Sequence, residues 1–158
     1  MKKILLIVLA LTAVLCTVAC GGASSDEGYA FTYKGQKLVI DAKAKTVLSA
    51  IGAPNSSYET GTCGRGDKDR MYVYSDFRVT TAEIDGEEYF EQIELLSDQV
   101  STAEGVSIGD AKQAVLDAYG DPDKTDSGML TYKAGAMNLY VYLDGNQNVK
   151  SILYKFAE

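Results

Sequence analysis

One short phrase occurs twice in this chain. The first copy is Thr46-Val47-Leu48-Ser49-Ala50-Ile51-Gly52-Ala53-Pro54, and the second, 68 positions later, is Ala114-Val115-Leu116-Asp117-Ala118-Tyr119-Gly120-Asp121-Pro122. Both read V-L-x-A-x-G-x-P. Self-similarity of this kind marks a duplicated structural unit. Val47, Leu48 and Ile51 fall at i, i+1 and i+4, one apolar helical stripe, and Val115, Leu116 and Tyr119 repeat it. Gly52 and Gly120 can take the positive-φ backbone that closes a helix. Pro54 and Pro122, the only prolines of the chain, then forbid continuation. The phrase therefore predicts two helix C-termini at equivalent places.

The flanking patterns fill in the units. Tyr29 to Ile40 reads as a hairpin turning at Lys34-Gly35-Gln36-Lys37. The first helix is expected from Asp41, as N-cap, to Ile51. Asp110 and Gln113 resemble a capping box that starts the second. Strands are expected at Met71–Tyr74, Arg78–Ile84 and Phe90–Leu96, and again at Met129–Tyr132, Met137–Leu143 and Val149–Tyr154. Asp85-Gly86 and Asp144-Gly145 are the matching hairpin turns. Pro54 to Tyr74 spans 20 residues and Pro122 to Tyr132 spans 10, so Asn55 to Arg70 reads as a loop with an insertion. The expected class is α+β. Two tandem α-β-β-β repeats, 29–99 and 100–158, form an antiparallel sheet with both helices on one face, preceded by a hairpin.

Strand parity assigns the faces. In Met137-Asn138-Leu139-Tyr140-Val141-Tyr142-Leu143 the odd positions are apolar, so Tyr140 and Tyr142 point away from the helices. Aligning the two turns places Thr80, Ala82 and Ile84 inward and Val79 and Thr81 outward; Leu96 and Leu153 join the outer face. Tyrosine offers a large contact area and a polar tip, which suits an interface. The simpler reading of the same residues is cross-strand pairing on a half-exposed sheet.

The N-terminus speaks to location. Lys2 and Lys3 precede an apolar run from Ile4 to Ala19, which has the length of a signal h-region rather than a spanning helix. Residues 1–19 are expected to be a signal peptide. The run ends in Thr17-Val18-Ala19-Cys20-Gly21, which resembles the lipobox of bacterial lipoproteins. That resemblance implies that Cys20 becomes a lipidated N-terminus carrying diacylglycerol and palmitate-type chains, and that residues 20–28, rich in Gly, Ser and acids, tether the domain to the outer face of the membrane.

Chemistry is sparse. The chain has no His, a formal charge of −7, and about −9 without Lys2 and Lys3, which argues against nucleic acid. Cys63 lacks an intrachain partner if Cys20 is lipidated, and no histidine can activate it. Cys63 and Arg65 lie in the inserted loop, where protein-specific contacts concentrate. Asp121, Asp123 and Asp126 do not have the spacing of a calcium loop. No cofactor or metal is expected.

The doubled helix, G-x-P and β-meander resembles the tandem repeat of the β-lactamase inhibitor protein family. Single units look like the small lipoproteins of outer-membrane assembly. Val100-Ser101-Thr102-Ala103-Glu104-Gly105-Val106-Ser107-Ile108-Gly109 with Ala118-Tyr119-Gly120-Asp121-Pro122 is similar to uncharacterised lipoproteins of Gram-positive, clostridia-like bacteria. The first resemblance implies binding through the open sheet face and nearby loops, here Tyr140, Tyr142 and the Cys63 loop. The resulting expectation is a monomeric, membrane-anchored, non-enzymatic module that binds an unknown envelope protein or peptide. An inhibitor of a secreted hydrolase, or an envelope-assembly or structural factor, are the alternatives. The anchor is directly testable: the Cys20→Ala chain should lose incorporation of a palmitate analogue and leave the membrane fraction, whereas an unlabelled wild-type chain would reject lipidation.

Overall fold

The computed structural model describes residues 28–62 and 65–157. The signal segment 1–19, Cys20 and Cys63 lie outside the described residues. The element order is β1 (Ala30–Tyr33), β2 (Gln36–Val39), α1 (Lys45–Ile51), β3 (Ser56–Thr60), β4 (Lys68–Val73), β5 (Phe77–Ile84), β6 (Glu87–Leu95), α2 (Lys112–Tyr119), β7 (Lys124–Asp126), β8 (Met129–Ala134), β9 (Met137–Leu143) and β10 (Val149–Phe156). β1 and β2 pair as a hairpin. The other eight strands make one antiparallel sheet in the order β3-β4-β5-β6-β10-β9-β8-β7. Each half is a four-stranded meander, and the halves meet where β6 pairs with β10 through Gln92–Leu95 and Ile152–Lys155.

One face of this sheet is the core. Phe77, Val79, Ile93, Leu95, Leu139, Val141, Ile152 and Tyr154 are all buried there. Over them pack Leu48 and Ile51 of α1, Val115 of α2, and Phe31, Leu38 and Ile40 from the hairpin. Helices of seven and eight residues are too short to hold by propensity, so this packing is what keeps them formed. The hairpin spans both halves. Phe31 and Tyr33 meet the Phe77 ring at centroid distances of 4.9 and 4.7 Å, while Tyr29 stands edge-on to Tyr119 at 5.2 Å.

Both helices end as the repeated phrase predicts. Gly52 (φ 97°, ψ 177°) and Gly120 (φ 76°, ψ −157°) occupy a positive-φ, extended region open essentially to glycine alone. Each glycine carbonyl accepts a tyrosine hydroxyl, from Tyr74 just after β4 to Gly52 at 3.3 Å and from Tyr132 in β8 to Gly120 at 3.2 Å.

The helix starts differ from expectation. Asp41 does not cap α1: it has φ 71°, and its N–H donates to the Phe90 carbonyl. Ala44 N–H likewise donates to Glu88, so residues 41–44 supply the hydrogen bonds that the first part of β6 does not receive from β10. An available strand edge outcompetes an extra helical turn. Asp110 does not cap α2 either. Its Oδ2 accepts from Ser107 N–H at 2.7 Å, and the α2 N-cap, Ala111, has no side-chain cap. The segment read as a loop contains β3, and its counterpart in the second half is β7, so each half has four strands rather than three.

Val79 and Thr81 are corrected from outer to core face; both have 0% exposure. Val79 opposes Ile93 and Thr81 opposes Phe90. The error lies in the turns. β5 and β6 are joined by two residues, Asp85-Gly86, whereas five, 144–148, separate β9 from β10. Aligning the turns therefore misaligns β5 against β9 by three residues. An odd slip sends every side chain to the opposite face.

The tyrosines of the second half give the fold a pH signature. Burial pushes Tyr132 up to about 12, and raises Tyr119 and Tyr154 as well; Tyr154 also feels the Glu104 carboxylate. A folded-state value above the unfolded one, ~10, means that the neutral phenol is favoured in the fold. That stability is complete below pH 10 and is lost as the pH rises through 12. Urea midpoints should fall across this window, and by less in Tyr132→Phe; a flat profile would contradict the burial of these hydroxyls.

Candidate functional site

The sheet has a face without helices. Burial alternates along β9, with Met137, Leu139 and Val141 buried and Asn138, Tyr140 and Tyr142 more exposed. Tyr140 opposes Leu153 on β10 and Thr131 on β8, and Tyr142 opposes Ser151 and Met129. Asn138 Nδ2 donates to the Tyr140 hydroxyl at 3.1 Å. Across the central seam Leu153 opposes Glu94, which is ion-paired with Arg78. Further along the same face, Tyr58 donates its hydroxyl to the Met71 sulfur at 3.1 Å. Tyr58 and Tyr142 are among the most exposed large side chains, at 50% and 37%. With strands spaced ~4.8 Å apart, this face is roughly 33 Å wide.

Tyr140, Tyr142 and Leu153 thus share one outward patch, from which Val79 and Thr81 are absent. The sequence pattern reads the strand of Tyr58 as loop and so does not place Tyr58 on this face. Its signal was the bare run Ser56-Ser57-Tyr58-Glu59-Thr60, polar but free of Gly and Pro.

Arg65 belongs to the framework. Its Nη1 donates to Asp41 Oδ1 at 2.6 Å and its Nε to Glu91 Oε2 at 2.8 Å, while the guanidinium lies 3.6 Å over the Phe156 ring. Glu91 is available because β6 carries a bulge. Thr80 pairs with Gln92 and Thr81 with Phe90, so Glu91 is the extra residue and is re-aimed. Arg65 thereby ties the inserted loop to the turn after β2, to β6 and to the end of β10.

A second concave region lies on the helix side, at the β3–β4 edge. Lys68, Arg70 and Tyr72 alternate along one face of β4 and meet acids from three strands. Arg70 pairs with Glu59 at 2.7 Å and Glu88 at 2.8 Å, Tyr72 donates to the other Glu88 oxygen at 2.7 Å, and Lys68 lies 3.3 Å from Glu83. The hydrogen bond from Arg70 holds Glu59 below the ordinary carboxylate range; burial, then the bond to Glu88, raises Tyr72. Two adjoining cavities of about 320 and 360 Å³ share Lys45, Tyr72 and Glu88. None of this was singled out from the sequence. The alternation Lys68-x-Arg70-x-Tyr72 was its one trace, and its partners depend on strand register.

Among the described residues no group of three or more His, Cys, Asp or Glu could hold a metal ion. The Arg65 tie yields a stability test. Arg65→Met leaves Glu91, whose side chain is 10% exposed, without its cation, and should cost about 1–3 kcal/mol by urea unfolding. The Glu91→Gln background should shrink that loss; an unchanged midpoint would mean the loop is not latched.

No family model matches the chain, and no curated protein matches it. Among solved structures it is similar to a cysteine-rich secretory protein from Staphylococcus aureus subsp. aureus Mu50. The TM-score is 0.52 at 14% identity, covering 74% of this chain and 44% of that one. The chain spans less than half of that protein's length, and at this identity the likeness concerns the fold alone.

Proposed function

We propose that this chain is a lipid-tethered, extracytoplasmic, non-enzymatic module that binds an envelope protein through the helix-free face of its sheet, and that it is built from two tandem units. The observation that carries the reading is the one-sidedness of the sheet. Its helices and hairpin cover one face, and the other presents Tyr140, Tyr142 and Leu153 together, with Tyr58 further out. Half-exposed tyrosines at such a patch combine contact area with a hydrogen-bonding tip. The tandem origin draws support from the strand order, which reads as two meanders meeting at the centre, and from the paired Tyr74–Gly52 and Tyr132–Gly120 bonds. A non-enzymatic role draws support from the sequence. With no His anywhere, the common Cys–His and Ser–His pairings are unavailable.

The test is capture from envelope extract by the chain from Gly21 onward, beside a Tyr140→Ala/Tyr142→Ala double variant. A partner retained by wild type and weakened about tenfold or more in the variant supports the outer face. Equal capture by both rejects that face as the site, and no capture by either favours a structural role.

A further inference from the structure

We propose that the trough between α1 and the β4–β6 floor is a binding site for a neutral, hydroxyl-rich ligand, an uncharged oligosaccharide segment. It is separate from the outer face and independent of what binds there. Its two lobes, about 320 and 360 Å³, each reach the size of a small-molecule site, and they adjoin through Lys45, Tyr72 and Glu88. Tyr72, Tyr74, Leu48 and Pro54 give one lobe an apolar lining; Arg70, Glu83 and Glu87 make the other polar.

The trough is particular to the first half of the sheet. The residue that stands to Tyr132 as Tyr72 stands to Tyr74 is Leu130, fully buried. Tyr132 itself is covered by Tyr119, which in turn meets Tyr29. The longer connection between Pro54 and Tyr74 supplies Glu59, Lys68 and Arg70, the charged wall of the trough.

Charge chooses the ligand class. The carboxylates already have partners: Glu88 takes Arg70 and Tyr72, Glu83 takes Lys68, and Glu87 faces Lys43 across a looser, exposed pair. A cationic ligand would have to displace these partners. An anionic ligand would meet three lining carboxylates against Lys45 and Arg70. A neutral hydroxyl needs neither exchange. It can donate to a carboxylate lone pair left over beside each ion pair, and accept from unused guanidinium or ammonium N–H groups. Sugar rings present such hydroxyls at their edges and C–H groups on their faces, which matches a lining of fixed ion pairs beside tyrosines. Ion pairing holds Arg70, Glu88 and Tyr72 in place before the ligand arrives, which reduces the ordering cost of binding.

The experiment uses the full ¹⁵N-labelled chain in dodecylphosphocholine micelles. It is titrated with tetra-N-acetylchitotetraose and cellotetraose as neutral probes, tetragalacturonate as an anionic one and tetralysine as a cationic one. At least one neutral tetrasaccharide should give saturable amide shifts at Lys45, Ser49, Tyr72 and Glu88, with a millimolar or tighter Kd, about tenfold tighter than either charged probe. Tyr72→Ala should weaken that binding about tenfold or more, Tyr72→Phe should retain part of it, and Tyr142→Ala should leave it unchanged, each variant checked as folded by its amide dispersion. Absence of saturable shifts with both neutral probes up to ~10 mM, preference for a charged probe, or undiminished binding by a folded Tyr72→Ala chain would each overturn the proposal.

Discussion

The pairing of β6 with β10 is the contact on which the rest of the structure depends. Among the described residues it is the only place where strands of the two halves exchange backbone hydrogen bonds, and it does so through four residue pairs, Gln92–Leu95 with Ile152–Lys155. Ile93, Leu95, Ile152 and Tyr154 on that seam are essentially without exposure, so the join between the halves lies inside the core. Each meander alone would offer one apolar face to a single short helix. Joined, they make a floor wide enough for both helices and the N-terminal hairpin. Burial on one side of a sheet leaves the other side to water, because two helices and a hairpin cannot cover both.

The two halves use that floor differently. In the second, Leu130, Tyr132 and Tyr119 close the space beneath α2 with aromatic and aliphatic bulk. In the first, Phe31, Tyr33 and Tyr74 gather on Phe77, and the floor beyond them is left to Tyr72, Arg70 and Glu88. The longer connection before β4 is the physical origin of this difference. It adds strand and charge at the sheet edge without adding a helix to cover them. The bulge at Glu91 serves the same region, since it turns one carboxylate toward Arg65 and thereby ties the long connection to the end of β10.

Much of the local structure was legible. The two V-L-x-A-x-G-x-P phrases located both helix ends, because a glycine carrying a positive φ and a proline two residues on leave the chain little else to do. The Met137–Leu143 alternation located its own buried side, since seven residues of strict period two have one face that can be apolar. The helix starts were not legible. Asp41 and Asp110 have good capping chemistry, yet Asp41 is recruited by β6, which is near only in three dimensions, and Asp110 turns back to the Ser107 N–H three residues before it. β3 and β7 are polar edge strands with no apolar face to betray them, and exist because β4 and β8 offer them hydrogen bonds.

Residue-by-residue chemistry along the chain therefore determined where helices end, which strands form hairpins and which side of β9 is wet, because those depend on backbone freedom and spacing over a few residues. Tertiary structure alone decided which side Val79 and Thr81 face, that Arg65 is a tie between distant segments, and that Lys68, Arg70 and Tyr72 meet Glu59, Glu83 and Glu88. Each of these depends on strand register. Register is set by turn length and by pairing across the sheet, and a slip of an odd number of residues inverts every side chain of a strand without altering its sequence pattern.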